Sequence, residues 1–205
     1  DLSVEASSLG LPVRFPLFES PTVEHHMVQE LNDLNQFLSC DPLRDGRVVS
    51  YIETMKLMKT GLPGNVMKGA YVTGPFTLAG LMMGANDIAM KTIMDEQLVT
   101  GVLEMATSTI IRYARALEEA GADTVAVLEP TAVMLSPEAF KRFSADFISR
   151  IVDELKIPTI LHICGQADHL IPNMVETGAQ GLSLDSDVDV ETALPKLPED
   201  VVFIG

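Results

Sequence analysis

The sequence predicts an α/β fold, a TIM-type (β/α)8 barrel with pieces missing at both ends. Three observations predict it. After Pro63-Gly64, short continuous apolar runs alternate with helix-patterned segments. Such runs mean strands covered on both faces, and therefore parallel pairing. A weak internal echo then links EEAGADTVAVLEP (118–130) to VETGAQGLSLDSD (175–187). Each has a helix end, a Gly-Ala turn, an apolar strand and an acid at the strand's C-terminal end, and repeated units of that kind favour a barrel. Finally, neither a Gly-x-Gly-x-x-Gly nor a P-loop signature supports the alternative, an open doubly wound sheet. A complete barrel of this type usually needs about 250 residues, so the 205 present suit a partial one.

The elements follow in order. Residues 1–10 (DLSVEASSLG) read as a short helix stopped by Gly10. Residues 11–28 are rich in Pro and polar residues and read as a loop, and Leu31 to Phe37 as a short helix. Asp45-Gly46 is a turn, and Arg47 to Lys59 an amphipathic helix with Val48, Ile52, Met55 and Met58 on one side. Asn65 to Thr73 is a strand, and Gly74-Pro75 opens the apolar helix PFTLAGLMM. Asp95 to Ala120 is a long helix with Leu98, Val102, Met105, Ile110, Tyr113 and Leu117 directed to the core, ended by Gly121. Thr124 to Leu128 is a buried strand, and Ser136-Pro137-Glu138 starts a helix running to about Lys156. Ile157 to Cys164 is a strand, and a helix near Asp168 ends at Gly178. Gly181 to Asp185, Val188 to Leu194 and Val201 to Ile204 are strand, short helix and last strand. Asp1 without an initiator Met, and a strand at the C-terminus, lead us to expect one domain over 1–205 that is an internal piece of a longer protein.

Composition excludes several functions. The chain carries 29 acidic against 14 basic residues, a net charge of −15, which repels a phosphate backbone or an anionic membrane. Aromatics are sparse and Trp is absent, so base stacking is disfavoured too. Two distant cysteines, Cys40 and Cys164, argue against a disulfide framework and for a reducing, cytoplasmic setting. No signal peptide or bilayer-spanning apolar run is evident. Most of the eleven methionines are expected in the core.

The strongest chemical signal is LHICG, residues 161–165. Alternate strand residues share a face, so His162 and Cys164 point together at the C-terminal end, where parallel α/β folds keep their active sites. Imidazole and thiolate suit zinc, although two ligands do not close a site. The competing reading, at even odds, is a buried Cys and a hydrogen-bonded His in a core strand. Glu129 and Asp185 end their own strands and are candidate proton carriers, ligands or partners of His162. Helix capping and loop hydrogen bonds are the alternatives, slightly favoured for Asp185. In TGPFTLAG, Gly74 and Pro75 shape a tight turn, and Thr73 or Thr77 could offer a hydroxyl to a ligand; a plain turn is the alternative. His25-His26 are expected in solvent, and His169 near a helix start has a mainly structural reading.

On these residues the chain resembles the uroporphyrinogen decarboxylase superfamily. Within it, the chain is most similar to the methylcobamide:coenzyme M methyltransferases and related corrinoid-dependent methyltransferases. The resemblance runs over DLSVEASSLG, DPLRDGR, VTGPFTLAGLMMG, EEAGADTVAVLEP with SPEAF, LHICG and ETGAQGLSLD. It implies a TIM-type barrel in which His162 and Cys164 bind zinc together with a second, later Cys. No Cys follows Cys164 here, so that ligand is expected beyond Gly205. The resemblance further implies a zinc-held small thiol, such as coenzyme M, attacking the methyl group of a methylated corrinoid carried on a partner protein. Asp1 aligns with an acid that contacts the tetrapyrrole in the decarboxylases, so Asp1, Glu129 and Asp185 are expected to face a related macrocycle. The decarboxylases' active-site tyrosine would fall at Leu81, and they lack the HxCG motif. Both differences disfavour tetrapyrrole decarboxylation, which stands as the rival beside a non-catalytic corrinoid- or tetrapyrrole-binding role.

Overall fold

The computed structural model describes residues 1–205. Five strands make one parallel sheet in chain order: β3 (Gly69–Thr73), β4 (Thr124–Leu128), β5 (Thr159–Ile163), β6 (Gly181–Leu184) and β7 (Val202–Ile204). Each strand pairs with the next in sequence, so the strand order never reverses. That is the progression of a barrel wall rather than of a doubly wound sheet, and the fold is an arc of a TIM-type barrel.

Period-2 alternation divides the two faces of this wall. Ala70, Val72, Val125, Val127, Leu161, Ile163, Leu182 and Leu184 all point to the helices and all are buried. The register places Tyr71, Ala126, Leu128, Ile160, His162, Ser183 and Ile204 on the opposite, inward face. That face is smaller, more polar and partly open, and Tyr71 is 66% exposed there.

The longest helix, α5 (Glu96–Ala120), packs on β3 and β4. Asp95 caps its N-terminus, and Gly121, at φ +108°, provides the left-handed turn that ends it. Leu98, Val102, Ile110, Tyr113 and Leu117 are buried as the periodicity requires, while Met105 is only half-buried. Around α5 lie α2 (Gly46–Gly61), α3 (Pro75–Met83), α4 (Ala85–Met94) and α7 (Asp146–Glu154). The short α1 (Val4–Ser8) packs against α2 and α3. No helix is long and apolar enough to cross a membrane.

Several elements differ from expectation. Residues 11–28 contain a small antiparallel hairpin, β1 (Val13–Arg14) with β2 (Thr22–Val23), instead of a featureless loop. Residues 85–94, unread in the sequence, form α4, because Gly84 at φ +98° bends the chain out of α3 and restarts it. The helix expected from 137 to about 156 is divided: α6 (Pro137–Phe140), a π-helical turn at Lys141–Ala145, then α7. The helix expected near Asp168 begins at α8 (Ile171–Val175). Met55, Met82, Met83 and Met174 are buried in the core and Met27 and Met105 pack against it, whereas Met67, Met90, Met94 and Met134 are exposed. Methionine's helix-like spacing on an amphipathic segment does not say which face turns inward.

Candidate active site

The five strands end at one rim, and β5 carries the central signal. Along β5 and past its end, Leu161 and Ile163 are fully buried, whereas Ile160, His162 and Cys164 are half-buried. Cys164 stands one residue beyond the end of β5. His162 lines a groove of about 400 Å³ on the inward face, with Tyr71, Ala126, Leu128, Ile160 and Ser183 among its walls.

His162 Nδ1 lies 3.0 Å from Ser183 Oγ, a neighbour that the β5–β6 register places directly beside it. Nε2 has no protein partner and is not among the buried unsatisfied atoms, so it is open to solvent. Cys164 is a free thiol. Its successor Gly165 adopts φ +80°, and the Gly165 N–H donates to Asp185 Oδ2 at 2.9 Å. That bond, with the Ser186 hydroxyl and the Asp187 amide, holds the Asp185 carboxyl below the usual carboxylate range. Asp185 therefore anchors the loop that carries Cys164.

Glu129 sits differently from the rim residue that was expected. It is completely buried, and its carboxylate accepts from the Phe76 and Thr77 amides at 2.9 and 2.6 Å, closing the N-terminus of α3. The Ser144 hydroxyl, turned inward in the π-helical segment, adds a bond at 3.2 Å. Burial outweighs these donors and pushes the carboxyl up to about 7. The Glu129 amide donates to the His162 carbonyl at 2.9 Å, so one residue joins the α3 turn to the strand of His162. Neither Glu129 nor Asp185 bonds the imidazole; the partner is Ser183.

The TGPFT turn is internally committed. Pro75 is buried at the first position of α3. The Thr73 hydroxyl donates to Glu5 Oε2 at 2.8 Å and contacts the Leu2 carbonyl, and the Thr73 amide donates to Glu5 Oε1 at 2.7 Å. The Thr77 hydroxyl accepts from the Thr131 amide at 3.1 Å. Asp1 pairs with Arg47 and accepts from Ser3. His169 Nε2 meets the Leu135 carbonyl at 3.1 Å, and His26 Nδ1 the Leu81 carbonyl at 3.0 Å.

Sequence reading missed Ser183, Ser144 and Glu5. Ser183 was accessible in principle, standing two residues before Asp185 on the same strand face, but only strand register puts it beside His162. Glu5 gave no signal: a buried acid in a short helix looks like a surface one until its partner Thr73 is in place.

No group of three or more His, Cys, Asp or Glu residues in the chain is placed to hold a metal ion. What the chain does offer is one imidazole nitrogen without a protein partner, His162 Nε2, and one free thiol just past the end of the same strand. Those donor types fit zinc as part of a set.

The whole chain, residues 1–205, matches the model of the uroporphyrinogen decarboxylase (URO-D) family, and the protein belongs to that family. A methylcobamide:CoM methyltransferase of Methanosarcina acetivorans is 30% identical over all of this chain and 61% of its own length. A uroporphyrinogen decarboxylase of Hydrogenovibrio crunogenus is 27% identical over all of this chain and 60% of its own. Among solved structures, a methyltransferase from Methanosarcina mazei superposes with a TM-score of 0.92 at 25% identity, covering all of this chain and 62% of that one. The chain thus spans about three fifths of the length of these relatives.

Proposed function

We propose that this protein is a zinc-dependent methyltransferase that moves a methyl group from a methylated corrinoid, carried on a partner protein, to a small thiol of the coenzyme M type. The observation that carries the reading is His162 on the inward face, with no protein partner on Nε2, and the half-buried Cys164 two residues further on. Relatives named methylcobamide:CoM methyltransferases support it.

His162 Nε2 and Cys164 Sγ would hold the zinc, together with the further donors that a zinc site needs. Zinc, when bound, supplies ionisation of a coordinated thiol at neutral pH. The chain's own residues do the rest. Ser183 fixes the imidazole ring, and Asp185 fixes the turn after Cys164. Glu129 holds the α3 turn against the His162 strand from below the rim. On this reading Glu129 is a positioning group, since its carboxylate is enclosed by α3, the 130–134 turn and Ser144.

Elemental analysis of the purified protein tests the proposal. About one zinc per chain is expected, lost in both His162→Ala and Cys164→Ala, together with methyl transfer from methylcobalamin to coenzyme M. Metal-independent decarboxylation of uroporphyrinogen would instead favour the activity for which other relatives are named. Tetrapyrrole binding with neither activity would favour a scaffold role.

A further inference from the structure

We propose that Ser183 is the positioning residue for His162: its hydroxyl pins the imidazole ring so that Nε2 faces the groove, and it accepts the Nδ1 proton when Nε2 takes an electrophile. Three observations carry this. Ser183 Oγ is 3.0 Å from His162 Nδ1, and this is the only protein hydrogen bond of the ring. The parallel register makes the two residues direct neighbours, so the contact is set by strand pairing rather than by a mobile loop. Both side chains line the same inward groove, and Nε2 is open to it.

The chemistry of the partner matters. A carboxylate or carbonyl beside Nδ1 could only accept, which would lock one tautomer. A hydroxyl both donates and accepts. It can donate to a bare Nδ1 while Nε2 carries the proton. In the free protein the hydroxyl donates to Nδ1 and so holds the Nε2–H tautomer. When Nε2 gives its proton to solvent and takes an electrophile, Nδ1 takes a proton from solvent, and the hydroxyl, rotated about its own C–O bond, accepts from Nδ1–H without the ring moving. Partners of a ligating histidine's second nitrogen affect metal affinity by about 10–100-fold when removed.

The proposal deepens the metal reading of the site but is tested first without metal. In the Cys40→Ser background, Ser183→Ala and Ser183→Thr are compared with the parent by 15N-correlated NMR of His162 in mildly alkaline buffer. The parent is expected to show a His162 nitrogen shift pair distinct from that of free neutral imidazole. Ser183→Ala is expected to move it to the free-imidazole mixture, and Ser183→Thr to restore it. A parent spectrum already matching free imidazole, or an unchanged Ser183→Ala spectrum in a folded protein, overturns the proposal.

Zinc titration then separates the two ideas. A roughly tenfold or greater loss of zinc affinity in Ser183→Ala, recovered in Ser183→Thr, supports both. No zinc binding by the parent, with the NMR response intact, removes the metal reading and leaves the positioning role standing. Unchanged zinc affinity in Ser183→Ala overturns the positioning role.

Discussion

Gly74 and Glu129 interlock: a Cβ at position 74 would lie 2.5 Å from Glu129 Cδ and 2.6 Å from Oε2. The missing side chain is what allows the carboxylate to reach the first amides of α3. The two residues close neighbouring strands, so the end of β3 and the end of β4 are built as one unit.

Gly74→Ala is therefore expected to lower stability by roughly 1–3 kcal/mol, because the buried carboxylate has nowhere to retreat. In a Glu129→Ala background the same change should cost less than about 0.5 kcal/mol. Urea unfolding of the four proteins of this cycle measures the coupling, and additive effects would contradict the interlock.

The pH dependence of stability follows from Glu129. Its folded pKa, about 7, stands above the unfolded value of 4.5. Between those values the folded state holds more protons than the unfolded one, so stability falls as pH rises through this window and levels off above it. The expected fall is on the order of 3 kcal/mol. Glu129→Gln should flatten the slope across the window. Burial raises Glu5 as well, in the same direction, but Glu5 is common to both proteins and cancels in the comparison.

Asp185 governs the turn after Cys164. Asp185→Ala should speed hydrogen exchange of the Gly165 amide by roughly tenfold or more, since that amide donates to Asp185 Oδ2. The carboxyl's folded pKa is depressed, so the bond is present above the ordinary carboxylate range and is lost as pH falls through the lowered value. Exchange that is unaffected by the substitution would show the turn to be held by other contacts.

Between α5 and α7, Arg150 makes a two-pronged pair with Glu104, and Arg142 of the preceding π-helical turn pairs with Glu96 of α5. All four side chains are substantially exposed. Arg150→Ala should change stability by less than about 1 kcal/mol, whereas Ile151→Ala, beneath it and fully buried, should cost about 2–5 kcal/mol. Thermal melts at low and high salt would separate the two contributions.

The barrel progression was legible because strands covered on both faces leave short, largely apolar runs such as TVAVL. The inward placing of His162 was legible because side chains alternate along a strand. The hairpin at 13–23 was not, since its two-residue strands are too short for a period to register between prolines. The π-helical turn was also hidden: KRFSA reads as ordinary helix, and only the buried Glu129 gives a reason for Ser144 to turn inward. The roles of Thr73, Thr77 and Glu129 depend on partners 52 to 68 residues away. No local pattern encodes such pairings.

The division between the wall's two faces has an evolutionary corollary. Apart from Ala70, the side chains that secure the wall against its helices are not those that border the groove. Exchanging Tyr71, Ala126, Leu128 or Ser183 rewrites the cavity while the buried apolar layer behind it stays intact. A scaffold so partitioned can vary its cavity while keeping its fold, which accords with relatives that carry the names of both decarboxylases and methyltransferases.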